Sequence, residues 1–312
     1  RYISEINKYL NNDRVKSKFH FLSPFQFLFE TIENYDLVHV PNFFVPIRKK
    51  SKIVCTIQDI IPLLDKSLFR IDQRVYLQSR INWSLNNSDH IIFTSQSTCN
   101  DVKRIFNLKS EYSIIPLGVS QPIKSTKKIN NICNDYFLHV GRRRSHKNIL
   151  NILEAFSNLN NHKLQMIFTG NKDKDDDDIF QFAKKRGINK QISFVGNVSD
   201  IELASLYQHA ISLVFPSLYE GFGLPILEAM SYGCPVITSN RSSMQEISSD
   251  NALLVDPTNI SELQNAMSTM YLNHNLRNTF IESGLKHVQG YQWSVTAKKT
   301  QDVYDYVLRN KK

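Results

Sequence analysis

The chain has 312 residues, 41% hydrophobic and 21% charged, the balance of a soluble globular protein with a core to bury. No run approaches the eighteen or so uncharged apolar residues of a membrane span. The four cysteines (Cys55, Cys99, Cys133, Cys234) form no C-x-x-C pair, which argues against structural zinc and fits a reducing cytoplasm.

The formal charge of +9 is spread over both halves, with basic clusters at Arg48–Lys52, Lys124–Lys128 and in "GRRRSHK" (141–147). Nucleic acid, an anionic membrane surface and a phosphorylated substrate are all candidate partners for such clusters, and solvated faces explain them as well. The opening "RYISEINKYL" has neither an initiator Met nor a signal-peptide pattern, from which we expect a preceding segment.

Along the chain, short apolar runs predict buried parallel strands: "YDLVHVP" (35–41), "KIVCTI" (52–57), "DHIIFTS" (89–95) and "YSIIPLG" (112–118). A stretch poor in periodicity and rich in Lys, Ser and Asn follows, "GVSQPIKSTKKINNICN" (118–134), and reads as a linker. Strands resume at "YFLHVG" (136–141), "LQMIFTG" (164–170), "QISFVG" (191–196), "ISLVFPS" (211–217) and "CPVITSN" (234–240). Helical patterns alternate with them: 148–159, 178–187 ending on Gly187, 199–210 with Ser-Asp start signals, and a last one at 294–310. This is the pattern of doubly wound α/β domains. The expected division is 1–122, a linker 123–134, a second domain 135–290, and a final helix 291–312 crossing back to the first domain. Ligands of such sheets sit at the carboxyl ends of the strands.

The densest stretch is "PSLYEGFGLPILEAMSYGCPVIT" (216–238). Gly221 and Gly223 let the backbone approach a ligand. Helix signals resume at Pro225, and a helix N-terminus suits a phosphate. Glu228 is expected in the first turn, able to accept bonds from a vicinal diol such as ribose, with Glu220 across the loop near another part of the same ligand. An acid complementing the helix dipole and an exposed loop acid explain the local pattern equally well. In "FLHVGRRRSHKNIL" a strand ends at Gly141, and Arg142 and Lys147 could clamp a diphosphate. A solvated basic loop explains that stretch too. His39 ends a strand and could touch an acceptor, or serve the core. The run "NKDKDDDD" (171–178) reads as a solvated acidic loop ahead of its helix rather than a metal motif.

Together these features resemble retaining glycosyltransferases of family 4, which have the GT-B fold, and among them bacterial O-antigen and capsule mannosyltransferases. The resemblance rests on "YFLHVGRRRSHKN", the stretch from Phe194 to Pro257 with its "EGFGLPILEAM", and "DLVHVPN", "TIQDIIPLL" and "IIPLGV" in the first domain. It covers nearly the whole chain.

The resemblance implies a nucleotide-sugar donor in the second domain. Arg142 and Lys147 would neutralise its diphosphate, Glu220 would lie near the sugar and Glu228 on the ribose. The backbone of Gly141, Gly221, Phe222, Gly223 and Leu224 would line the site. Glu220, Arg142 and Lys147 are the expected catalytic groups; His39, Gln58 and Asp59 are the acceptor-side candidates. No cofactor or metal is expected, and the acceptor would be a glycan or lipid-linked glycan. GDP-mannose is the favoured donor. The enzyme is expected in the cytoplasm, where its basic first domain permits a peripheral approach to anionic lipid; no nucleic acid is expected as partner.

Three positions depart from the family pattern: Gln58 where a His is usual, Gln96 where an acid is common, and His146 where many relatives have Arg. The opening "RY" resembles the end of a Gly-rich loop whose strand is missing from this chain. Gln58 and that missing strand support the alternative of a non-catalytic relative that binds a nucleotide sugar or a partner transferase.

Overall fold

In the computed structural model, the described residues are 2–10, 35–42, 51–65, 70–123, 135–171 and 176–310. They form two compact units: Arg1–Gly118 with Tyr291–Lys312, and Val119–Gly290. The Lys124–Lys128 cluster, Cys133 and most of the expected linker lie outside the described residues.

Unit 1 contains a four-stranded parallel sheet of β1 (Leu37–Val40), β2 (Lys52–Ile57), β3 (His90–Phe93) and β4 (Tyr112–Ile114), paired in chain order. Successive side chains of a strand point to opposite faces. On one face Ile53, Cys55 and Ile57 of β2 and Ile91 and Phe93 of β3 join Ile81, Leu85, Cys99 and Val102 in one core. The last four come from the helices Ile71–Asn87 and Gln96–Ile105. On the other face Val54, Thr56 and Ile92 have no exposed surface.

The helices Tyr2–Asn7 and Trp293–Arg309 carry the groups that meet this second face. The Thr56 hydroxyl pairs with Tyr2 Oη at 3.2 Å and with His39 Nε2 at 2.7 Å. At Gly118 a Cβ would stand 2.3 Å from the Trp293 backbone nitrogen, so only glycine lets the two chain segments meet there.

Unit 2 contains a six-stranded parallel sheet of β5 (Tyr136–His139), β6 (Gln165–Thr169), β7 (Ile192–Gly196), β8 (Ser212–Phe215), β9 (Val236–Ser239) and β10 (Leu253–Val255). The order is β10-β9-β8-β5-β6-β7, so the winding reverses between β5 and β8. Phe137, Met166, Phe168 and Val214 pack with Ile152, Leu153 and Phe156 of the helix Ile149–Ser157. The Ser-Asp start signal is a full capping box: Ser199 Oγ accepts from the Glu202 amide and Glu202 accepts from the Ser199 amide.

The strand runs read from the sequence coincide with β1 to β9. β10 escaped because its run, "LLV", is too short to show a period. One further expectation is corrected. The helix after β6 begins at Asp176, two residues before the reading placed it, and Asp176 is no solvated loop acid. It is the partner of a buried arginine. Residues 172–175 of that acidic run lie outside the described residues.

Candidate active site

The loop after β5 is built from special backbone geometry. Gly141 has φ +126°, and Gly170, at the end of β6, backs onto it so closely that a Cβ there would lie 2.5 Å from the Gly141 carbonyl oxygen. The next two residues diverge. Arg142 points to water, with no side-chain partner among the described residues. Arg143 is 2% exposed.

Asp176 takes the Arg143 guanidinium in two parallel bonds, from Nε at 2.8 Å and Nη2 at 2.7 Å. The carbonyls of Thr169, Gly170 and Asn171 accept from the same group at 3.4, 3.2 and 3.1 Å. The guanidinium carbon Cζ lies over the Phe194 ring, 5.0 Å from its centre. A buried arginine with its donors occupied in this way is a staple, fixing the loop against β6 and the following helix.

The same loop is fixed on its other side. Asn148 adopts a left-handed backbone (φ 63°) and donates from Nδ2 to the carbonyls of Pro216, at 3.2 Å, and Pro257, at 2.6 Å. The His146 carbonyl accepts from the Leu218 amide at 2.8 Å. The loops after β5 and β8 therefore form one scaffold.

On that scaffold Lys147 Nζ meets Glu220 Oε1 at 2.5 Å, with side chains 15% and 11% exposed. Lys147 Nζ also lies 4.7 Å from the centre of the Phe215 ring. The Glu220 carbonyl accepts from Ser242 Oγ at 2.6 Å and Ser243 Oγ at 2.9 Å, both from the first turn of the helix Ser242–Ser248. Two residues expected at one ligand are thus in contact, with the Phe215 ring against Lys147 and the Ser242 and Ser243 hydroxyls on the Glu220 backbone.

Gly221, Phe222 and Gly223 are buried, and Gly223 takes φ +95° as the N-cap of the helix Leu224–Ser231. Gly223 has no side chain to cap this helix, Pro225 carries no N–H, and the Ile226 amide donates to the Gly223 carbonyl at 3.0 Å, so the Leu224 amide is the N–H at the helix start. The helix opens at Leu224, one residue before Pro225. Glu228 is consequently its fifth residue and sits in the second turn, which corrects the first-turn expectation and weakens a simple dipole role. Tyr207 Oη donates to Glu228 Oε2 at 3.3 Å. Burial, and next the Glu228 charge, push the Tyr207 hydroxyl well above its ordinary value, so it remains a donor. Tyr232 stacks on Tyr207 with centroids 5.6 Å apart.

The three acceptor-side candidates lie in unit 1. His39 does not present a free ring: Nδ1 meets Tyr304 Oη at 2.5 Å and Nε2 meets Thr56, so it ties β1 to β2 and to the terminal helix. Burial pushes its pKa down to about 3. Gln58 is exposed and donates from Nε2 to the Pro41 carbonyl at 3.3 Å; its backbone carbonyl accepts from the Thr94 and Thr98 hydroxyls. Asp59 Oδ1 accepts from the Ile61 amide at 3.1 Å and opens the short helix Ile61–Leu64.

Sequence reading missed Arg143 with Asp176, Asn148, Tyr207 and the Ser242–Ser243 pair. The adjacent serines just past β9 were a legible start signal. The tyrosine had none, being one more large residue on an apolar helix face. Among the described residues no group of three or more His, Cys, Asp or Glu is arranged to hold a metal ion, and no helix is long and apolar enough to cross a membrane.

Comparison with known proteins places this geometry. The family described as Glycosyl transferases group 1 matches residues 123–287, and the one described as Glycosyltransferase Family 4 matches residues 3–121. The chain is 27% identical over 281 residues to an O-antigen chain mannosyltransferase B of Escherichia coli, covering 86% of this chain and 74% of that protein. It is 28% identical over 232 residues to the O-antigen chain mannosyltransferase RfbU of Salmonella typhimurium, covering 70% of this chain and 65% of that one. The sucrose-phosphate synthase of Thermosynechococcus elongatus shares the fold, with a TM-score of 0.76 at 22% identity over 89% of this chain and 75% of that one. With its two parallel-sheet units and matches along both, the chain belongs to the group 1 and family 4 glycosyltransferases and has the GT-B fold.

Proposed function

We propose that the protein is a retaining hexosyltransferase that moves mannose from GDP-mannose to a polysaccharide or lipid-linked glycan. The observation that carries this reading is the Lys147–Glu220 pair at the ends of β5 and β8, with Glu228 in the helix that follows. It combines a cation for a diphosphate with two acids for hydroxyl groups on one rigid scaffold. The relatives named as O-antigen mannosyltransferases support mannose as the sugar.

In this reading the donor diphosphate draws Lys147 away from Glu220 and gathers Arg142 as the second cation. Glu220 then accepts hydrogen bonds from the sugar, and Glu228, held by Tyr207, accepts from the ribose. The Leu224 amide at the start of that helix faces the phosphates. The bond between the anomeric carbon and the phosphate oxygen breaks while the acceptor oxygen bonds to that carbon on the same face. The acceptor proton passes to the departing phosphate oxygen. Arg142 and Lys147 stabilise the charge growing on the diphosphate, so no metal ion is needed. The reaction would take place in the cytoplasm, with lipid-linked acceptors reached at the inner face of the membrane.

Incubation with a panel of nucleotide sugars and acceptor glycans, following released nucleotide and the anomeric configuration of the product, tests this. Release of GDP with an α-mannosyl product is expected. Tight donor binding without turnover in the full-length protein would favour a non-catalytic relative, as Gln58 suggests.

A further inference from the structure

Four aromatic rings stand in a row across the unit 2 sheet, one from each of four neighbouring strands: Phe215 of β8, His139 of β5, Phe168 of β6 and Phe194 of β7. We propose that His139 is a positioning residue for Lys147: it closes the row where two strands part and so fixes the Phe215 ring beneath the Lys147 ammonium. The proposal rests on the donor reading above, in which Lys147 serves the diphosphate.

Strand register makes most of the row. His139 is paired with Phe168, and Phe168 with Phe194, so their rings fall side by side on one face. The centroids are 5.6 Å apart for His139 and Phe168 and 5.3 Å apart for Phe168 and Phe194. Between β5 and β8 register does not reach so far. Their pairing consists of Phe137 with Ser212 and Leu138 with Leu213, and it ends there, at the place where the winding reverses. At the next position the His139 side chain takes over. Its Nδ1–H donates to the Val214 carbonyl at 2.9 Å, and the imidazole stacks on Phe215 with centroids 5.7 Å apart and planes at 22°.

Both ends of the row carry a cation from the loop after β5: the Arg143 guanidinium over Phe194, and Lys147 Nζ over Phe215. Arg143 is also bound by Asp176 and three carbonyls, whereas the Lys147 ammonium meets Glu220 and the ring alone among the described residues. When a diphosphate draws it from Glu220, the ring is the fixed surface that remains. His139 sets the tilt of that ring.

A residue kept here for packing alone would be apolar. His139 has no exposed surface, and its Nε2 has no hydrogen-bond partner among the described residues, a cost that leucine or phenylalanine would avoid. Burial pushes its pKa down to about 3; the Lys147 and Arg143 charges act in the same direction, and the bond to Val214 opposes them. The ring is therefore neutral, with its one proton on Nδ1, and adds no charge that would repel Lys147. A flat ring with a single N–H meets two demands together, the stack on Phe215 and the bridge to Val214. Phenylalanine supplies the first alone, and asparagine the second.

Calorimetry on the full chain with GDP and UDP, as a double-mutant cycle between His139 and Lys147, tests the assignment. His139→Leu removes stack and bridge together and should weaken whichever nucleotide the wild type binds by about tenfold, within the range of a desolvated cation–π contact. His139→Phe and His139→Asn each keep one of the two and should lose about threefold. In the Lys147→Met background none of the three should weaken binding further. A merely structural histidine would loosen the site equally with and without Lys147, so additive losses overturn the proposal, as does unchanged affinity in His139→Leu. Thermal melts by circular dichroism establish that each variant is folded; should His139→Leu not fold, the Phe and Asn variants carry the same cycle. If Lys147→Met alone leaves affinity unchanged, the cationic clamp of the donor reading fails and takes the proposal with it. Additive losses on top of a clear Lys147 effect sink the positioning role and leave that reading standing. Binding of neither nucleotide sinks both.

Discussion

Asp176→Asn should destabilise unit 2 by about 2–3 kcal/mol, although its sequence context is a run of aspartates that looks expendable. Removing one member of a buried ion pair costs about 3–5 kcal/mol, because the other charge is left uncompensated. Arg143, at 2% exposure, qualifies as that stranded charge, and Asp176 itself is only 13% exposed. The loss falls below the full range for two reasons. Three backbone carbonyls still accept from the guanidinium, and the Phe194 ring still lies against it. The double variant Arg143→Met/Asp176→Leu removes both charges and should recover most of the loss. Both tryptophans, Trp83 and Trp293, belong to unit 1, so urea unfolding should be followed by far-ultraviolet circular dichroism rather than tryptophan fluorescence. Asp178→Asn in the same helix is the control and should stay within about 0.5 kcal/mol. If Asp176→Asn is as mild as the control, the staple contributes nothing and the loop carrying Arg142 and Lys147 is held by other means.

Glu220→Ala should slow transfer sharply while leaving nucleoside diphosphate binding intact or tighter, because it releases Lys147; Glu228→Ala should weaken the bare nucleotide and the donor together, and calorimetry that finds equal losses refutes this division. Loss of Arg142 or Lys147 should cost about 2–4 kcal/mol of transition-state stabilisation, with full activity in excess chelator; a strict magnesium or manganese requirement would overturn the cationic clamp. Turnover should show no histidine-like limb in its pH profile, with only a modest change in Gln58→His. Stability should depend on His39: its folded pKa, about 3, lies below the ordinary 6.5, so its contribution is present above pH 6.5 and is lost as pH falls toward 3. The slope is at most about 1.4 kcal/mol per pH unit for this group, and His39→Gln should flatten the stability curve in that window.

The parallel sheets were legible because buried strands are written as unbroken apolar runs, as in "KIVCTI" and "ISLVFPS". The helix Ile71–Asn87 was harder: its buried stripe is little more than Leu77, Ile81 and Leu85, spaced four apart in a polar sequence. At the candidate site the residue types and their loops could be read, and the contact of Lys147 with Glu220 is between two residues already singled out. Partnerships across long sequence separations could not. Arg143 and Arg142 are adjacent and chemically identical, and only the turn at Gly141 sends one inward to Asp176 and the other to water. His39 shows the converse limit: its place at a strand end left an acceptor contact and a core role equally open, and nothing in the sequence signals that Tyr304 and Thr56 meet its two ring nitrogens.

The meeting of Gly118 with Trp293 has a consequence for how the protein is made. Unit 2 is inserted whole into unit 1, whose helix Trp293–Arg309 is synthesised only after unit 2. Unit 2, contiguous from Val119 to Gly290, has all its strands before that helix leaves the ribosome. Until then the Val54–Thr56–Ile92 face of unit 1 lacks part of its cover, and His39 lacks Tyr304. The half of the enzyme translated first is therefore finished last, and a nascent chain stalled shortly before Trp293 should expose an apolar sheet face that chaperones bind.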